Sequence, residues 1–115
     1  MSNPRVFVRE IVDTVPSLRG PLDEHLADNR ELLPHVFMGD ITRFVVRKVR
    51  EGEFDSVRDI FRLLEIGLSS AGPEVEELIV VSFVENLQGE GPAVTLAKPL
   101  MGPLLKAEVE RICEP

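Results

Sequence analysis

Two side chains that can exchange protons, His35 and Asp40, lie in the stretch ELLPHVFMGDITRFVVRKV, residues 31–49. A histidine and a carboxylate in one cleft are groups that general acid and base catalysis often uses. Five residues apart on a helix, they are about 140° out of phase and cannot chelate one ion as an i, i+4 pair does. Together with Glu85 of VVSFVENL, they form our candidate pocket for an enzyme or a small-ligand binder.

The same region offers a hypothetical metal site of carboxylates and one histidine. In a helix continuous up to residue 35, one face would carry Glu24, Asp28, Glu31 and His35. Pro34 breaks that geometry, because proline lacks a backbone donor and is tolerated mainly in the first turn of a helix. Structural zinc also requires more Cys or His ligands than the one Cys and two His of this chain. We therefore predict neither a metal nor another cofactor.

Structural roles compete with chemistry at these polar positions. Asp40 precedes Arg43 by three residues, a spacing at which opposite charges on a helix form pairs, so we expect it to pair with Arg43 or with an arginine on a neighbouring helix. Ser82 can donate its hydroxyl to the carbonyl four residues back, as serine often does inside helices. No nucleophile has an evident base and orienting group, and no phosphate-binding loop is present. These features favour a non-enzymatic protein.

The stretch that carries His35 and Asp40 shows the apolar stripe of an amphipathic helix. Its apolar positions, at i, i+4, i+7, i+8 and i+12, are Phe37, Ile41, Phe44, Val45 and Val49. Its other side carries Arg43, Arg47 and Arg50. Pro34 predicts a start near Leu33, and Gly52 predicts the end. Gly39 costs about 1 kcal/mol relative to alanine inside a helix, so we expect it to admit a neighbouring backbone or to mark a bend.

Other segments also show helical signals. Asn3 and Pro4 mark the start of a first helix, a short helical segment is expected in GPLDEHLADNRE, and the apolar positions of 54–68 are spaced as in a helix. We assign the run LIVVSFV to a helix rather than a strand, because Pro73 suits a helix start and no partner strand is apparent. GEGPAVTLAKPLMGP is expected to be a loop, and GPLLKAEVERI a closing helix.

These elements predict an all-α fold of about five helices, packed as antiparallel helical hairpins in a single domain over residues 1–115. The length of 115 residues matches one domain. The net charge of −7 disfavours nucleic-acid binding, and no apolar run approaches the roughly 20 residues that span a bilayer. With one cysteine, Cys113, and no signal-peptide pattern, we expect a cytoplasmic protein without membrane contact.

Charge is distributed unevenly along the chain. Residues 43–50 carry four basic side chains and no acidic one, whereas residues 63–97 carry six glutamates and no Lys or Arg. The glutamates are Glu65, Glu74, Glu76, Glu77, Glu85 and Glu90. A charge run is usually a solvated face, but an acidic face can also steer a basic partner to the protein.

The segments ELLPHVFMGDITRFVV and EELIVVSFVENL resemble a family of small bacterial helical proteins of uncharacterised function, some of which are suspected of toxin and immunity association. The resemblance covers most of residues 10–90 and transfers no catalytic residues. It implies a small helical inhibitor. We therefore predict an immunity-like interaction protein that presents Glu74, Glu76 and Glu77 to a basic protein. The alternatives are the pocket near His35 and Asp40, and a structural homodimer.

Overall fold

A computed structural model describes residues 3–114, and these residues form helices and short turns without a strand. The described residues contain seven α-helices rather than about five. They are α1 (Pro4–Thr14), α2 (Arg19–Asn29), α3 (Pro34–Arg50), α4 (Asp55–Ser70), α5 (Pro73–Ile79), α6 (Gly91–Ala97) and α7 (Pro103–Cys113). None of the helices within residues 3–114 has the length and apolar character required to cross a bilayer.

The starts of α1 and α3 follow the predicted signals. The side chain of Asn3 accepts a hydrogen bond from the Val6 N–H at 3.0 Å, and Pro4 is the first residue of α1. Helix α3 begins at Pro34 with Leu33 as its N-cap, which confirms the predicted start. Helix α2 ends at Asn29 and is followed by Arg30, whose φ of 65° is left-handed. The chain therefore has no continuous helix from α2 into α3.

Helix α6 lies where we predicted a loop, so that prediction is wrong. The three prolines of residues 89–103 suggested repeated breaks, but Pro92 lies in the first turn of α6 and Pro103 is the first residue of α7. Neither position needs the missing backbone donor. Ala93, Val94 and Ala97 are buried, so packing of small apolar side chains stabilises α6.

A central helical segment runs from Pro73 to Leu87 and confirms the choice of helix over strand for LIVVSFV. Helix α5 continues into a π-helical segment, Val80–Val84, and then into a 3₁₀ turn, Glu85–Leu87. Leu78, Ile79 and Phe83 are fully buried. The π segment contacts both α3 and α7, so this apolar run forms the centre of the core.

Helices α3 and α4 contact each other across the short connection 51–54. Within that connection Gly52 has a φ of 74°, a conformation that other residues adopt at a cost. The apolar stripe of α3 is buried as predicted, and its members are Phe37, Ile41, Phe44, Val45 and Val49. The antiparallel arrangement of successive helices stays a prediction.

Candidate functional site

Helix α3 directs His35 and Asp40 to different neighbours. His35 Nδ1 lies 2.6 Å from Ser82 Oγ of the π segment. Asp40 forms an ion pair with Arg43, which confirms the predicted partner, and its Oδ2 lies 3.8 Å from Nδ1 of His25. The two side chains leave the helix in different directions, as their angular separation requires. Each therefore belongs to its own polar cluster.

Ser82 does not return its hydroxyl to the carbonyl four residues back, so that prediction is wrong. Its hydroxyl contacts His35 instead, although Ser82 itself is buried. In a π segment the backbone hydrogen bonds run from i to i+5, and here the Glu85 N–H bonds to the Val80 carbonyl. In this wider turn, the carbonyl four residues back does not have the position relative to the serine hydroxyl that it has in an α-helix. Ser82 is thereby available to a side chain of α3.

The backbone carbonyl of Ser82 is a second point of contact between the same elements. It accepts a hydrogen bond from Asn86 Nδ2 at 2.7 Å and one from Thr42 Oγ1 at 3.3 Å. The single hydroxyl hydrogen of Thr42 is shared between this carbonyl and the Met38 carbonyl, which lies closer at 2.9 Å. Polar groups of α3 and of the central segment are thus fixed relative to each other, because each buried group has a partner.

A groove of about 420 Å³ follows this contact along α3. Its lining residues are Gly39, Thr42, Arg43, Val46, Arg47, Arg50, Glu51, Asn86 and Glu90. We call it the arginine groove, because Arg43, Arg47 and Arg50 border it. At Gly39 an added Cβ would lie 3.6 Å from Asn86 Nδ2 and 3.8 Å from an Arg43 nitrogen. The nearest neighbours of Gly39 are therefore side chains and not the backbone that we expected as one alternative, whereas the other alternative, a bend, stays a prediction.

A second hollow, of about 510 Å³, lies on the other side of the arginines and includes His25 and Asp40. His25 is buried, and its Nε2 accepts a hydrogen bond from the Leu33 N–H at 3.0 Å. Its ring lies 5.3 Å from that of Phe37. His25 thus supports the turn between α2 and α3. The sequence carries no local sign of this role, because Leu33 lies eight positions after His25 across an irregular turn.

The six glutamates of residues 63–97 have different environments. Glu65 accepts hydrogen bonds from the Leu104 and Leu105 N–H groups at 2.8 and 2.9 Å, so it caps α7. Glu90 forms an ion pair with Arg50. The remaining four are exposed, and no basic side chain within residues 3–114 lies in ion-pair distance of them. They are Glu74, Glu76, Glu77 and Glu85.

Two titratable groups near the C-terminal end of the chain have shifted pKa values. Burial raises the pKa of the Cys113 thiol, and the charge of Glu114 adds to the effect. Hydrogen bonds to Glu114 and Glu110 raise the pKa of Lys98. Across residues 3–114 there is no cluster of three or more His, Cys, Asp or Glu residues arranged to hold a metal ion.

The comparisons with known proteins give one result at the level of the family. A search of curated proteins and a search of solved structures found no match. A family model described as a domain of unknown function, DUF7674, matches residues 8–114. The match includes α2 to α7 and therefore all the polar clusters described above. The chain belongs to the DUF7674 family.

Proposed function

We propose that this protein is a non-enzymatic interaction protein, immunity-like, that binds a basic protein through Glu74, Glu76 and Glu77. One observation carries the proposal. These three carboxylates are exposed at the start of α5, and within residues 3–114 no basic side chain pairs with them. We call them the acidic surface.

The chemistry of the acidic surface favours a partner that supplies cations. Adjacent carboxylates repel one another, and the positive end of the α5 dipole offsets that repulsion only in part. A basic partner would remove it and would be steered by the net charge of −7. The bacterial origin and the toxin-immunity setting belong to this proposal and rest on the resemblance to the small bacterial helical proteins, whereas the cytoplasmic location also rests on the single cysteine.

The proposal is tested by capturing partners from a lysate of the source organism with the wild type and with a triple variant, Glu74→Lys, Glu76→Lys, Glu77→Lys. The matched control is Glu10→Lys, Asp23→Lys, Glu24→Lys, which changes the total charge equally at three other exposed acids. Circular dichroism verifies that both variants are folded. We expect one basic protein that the wild type and the control retain and the first variant loses.

Two results would contradict the proposal. Retention of the same protein by both variants would show that the acidic surface does not contribute to binding. Loss of the protein from both variants would show that only net charge matters. If the retained protein is a second copy of this chain, the homodimer hypothesis replaces the basic partner, and light scattering measures its mass.

A second candidate function, an enzyme or ligand binder near His35, is favoured by the short contact between His35 Nδ1 and Ser82 Oγ. A serine beside a histidine is the arrangement of a nucleophile and its base. Asp40 contacts His25 and Arg43 instead of His35, and Glu85 lies on the 3₁₀ turn. A fluorophosphonate probe tests the enzyme form of this candidate: labelling of Ser82 that His35→Ala abolishes would support Ser82 as a nucleophile, and no labelling would contradict that role.

A further inference from the structure

The arginine groove combines cations with a partly apolar floor. Arg43, Arg47 and Arg50 are spaced at i, i+4 and i+7 along α3, so their guanidinium groups border one side of the helix. Val46 and Thr42 lie at the base, both largely buried. The groove volume of about 420 Å³ falls in the range of small-molecule sites. Such a lining suits a ligand with an anionic head and an apolar body.

The three arginines are not equally engaged within the protein. Arg43 pairs with Asp40 at one end of the groove, and Arg50 pairs with Glu90 at the other. Arg47 lies between them, with its guanidinium carbon 5.5 Å from the centroid of the Phe44 ring. Among residues 3–114, Arg47 forms no ion pair. Its donors are therefore available to an anion, and planar guanidinium groups bind carboxylate and phosphate with two parallel hydrogen bonds.

The opposite wall of the groove is held in place by the contacts of the central segment. Asn86 donates to the Ser82 carbonyl, and Ser82 in turn contacts His35 of α3. Because both walls share these bonds, the groove is formed before any ligand binds, which lowers the entropic cost of binding. A π-helical segment beside a groove is also a feature that often accompanies functional sites.

We propose that the arginine groove binds a small organic anion, whose carboxylate or phosphate pairs with Arg47 and whose apolar part lies on Val46. The site is independent of the acidic surface, because none of its lining residues belongs to Glu74, Glu76 or Glu77. Glu51 and Glu90 also line the groove, and Arg43 and Arg50 are paired with acids, so Arg47 provides the local attraction for an anion. Carboxylate and phosphate ligands of this kind share one feature, an anionic head group on an apolar body.

The test uses ¹⁵N NMR titration of the full chain with four probes. Phenyl phosphate and phenylacetate carry the two anionic heads, benzyl alcohol has the ring without charge, and inorganic phosphate has the charge without the ring. We expect saturable shifts at the amides of Gly39 and Thr42 and at the Arg47 side chain with one or both aromatic anions. The preferred head then identifies the ligand as a phosphate or a carboxylate.

Two variants and one control localise the binding. Arg47→Gln should weaken binding of the aromatic anion about tenfold or more, because a charge-assisted hydrogen bond is lost. Gly39→Leu should block the groove, because its side chain extends toward Asn86 and Arg43. The control is Arg62→Gln, which removes an exposed arginine of α4 that does not line the groove. The affinity of the Arg62→Gln variant for the aromatic anion should equal that of the wild type.

The proposal would be overturned by any of three results. The first is that neither aromatic anion produces a saturable shift. The second is that benzyl alcohol binds as tightly as the aromatic anions. The third is that Arg47→Gln and Arg62→Gln change the affinity for the aromatic anion equally. Inorganic phosphate binding as tightly as phenyl phosphate would overturn the role of the apolar floor. Because Gly39→Leu can perturb α3, Arg47→Gln, at an exposed position, decides the result if the leucine variant does not fold.

Discussion

His35 Nδ1 and Ser82 Oγ, 47 residues apart in the chain, lie 2.6 Å from each other and join α3 to the π segment. The serine is buried and the histidine is exposed, so the contact closes the edge of the core. The carbonyl of the same serine accepts bonds from Thr42 and Asn86. One residue of the π segment thus fixes the wall of the arginine groove.

The His35–Ser82 contact should contribute measurably to stability. Removing either partner, by His35→Ala or Ser82→Ala, should lower the free energy of unfolding by about 1 kcal/mol, the usual net value of a hydrogen bond. Urea denaturation of both single variants and the double variant measures the coupling. We expect the double variant to lose less than the sum of the single variants. Additive losses would contradict a direct interaction.

Glu65 should stabilise α7 by capping its N-terminus. Gly102 makes this possible, because it has no side chain that would collide with the Glu65 carboxylate. Glu65→Ala removes a charge-assisted cap and should lower the free energy of unfolding by about 2 kcal/mol. A Cβ at Gly102 would lie 2.5 Å from the Glu65 carboxyl carbon, so Gly102→Ala should also destabilise the protein. Thermal unfolding measures both losses.

The double variant of Glu65 and Gly102 provides the control for this explanation. Once Glu65 is alanine, the added methyl group at position 102 meets no carboxylate. Gly102→Ala should then cost much less than it does in the wild type. An equal cost in both backgrounds would show that the glycine is needed for another reason.

Two helical glycines should respond in opposite directions to the same substitution. At Gly39 the nearest atom to an added Cβ is 3.6 Å away, an ordinary contact, so Gly39→Ala should stabilise the protein by up to about 1 kcal/mol. At Gly67 an added Cβ would lie 2.8 Å from atoms of Phe7 and Ile79. Gly67→Ala should therefore cost about 1–3 kcal/mol. Chemical denaturation measures both, and destabilisation by Gly39→Ala would contradict this geometry.

Cys113 should react slowly with iodoacetamide, because burial raises the pKa of its thiol and only the thiolate is the nucleophile. Its Sγ also lies 3.5 Å from the Val84 carbonyl oxygen. The midpoint of the pH–rate profile should lie at higher pH in the folded protein than in urea. The chain has a single cysteine, so mass spectrometry follows the reaction directly. Equal midpoints in both states would contradict the assignment.

The sequence predicted those elements whose signals are local. The apolar stripe and the proline of α3 placed that helix correctly, and the Asp40–Arg43 pair follows from a spacing of three residues. Helix α6 was missed because proline both starts and breaks helices, and the sequence of this region does not tell the two apart. Burial of Ala93 and Val94 by the rest of the chain decides the outcome.

The polar contacts that shape the candidate sites depend on residues far apart in the chain. Glu65 belonged to the predicted acidic run, yet its carboxylate caps a helix 39 residues later. Ser82 meets His35 only because the helix widens into a π segment. Neither relationship leaves a periodic pattern in the sequence. Side-chain exposure, by contrast, follows from amphipathic spacing, which is why Arg43 and Arg47 were assigned correctly to the outer side of α3.

The most direct test of the acidic surface is the association rate of the captured partner, measured with purified proteins at low and high salt. Screening shortens the reach of exposed charges from about 30 Å at 0.01 M to about 8 Å at 0.15 M ionic strength. We predict that the wild type and the Glu10, Asp23, Glu24 control associate faster at low salt, and that reversal of Glu74, Glu76 and Glu77 abolishes this acceleration. An unchanged salt dependence in that variant would contradict the proposed function.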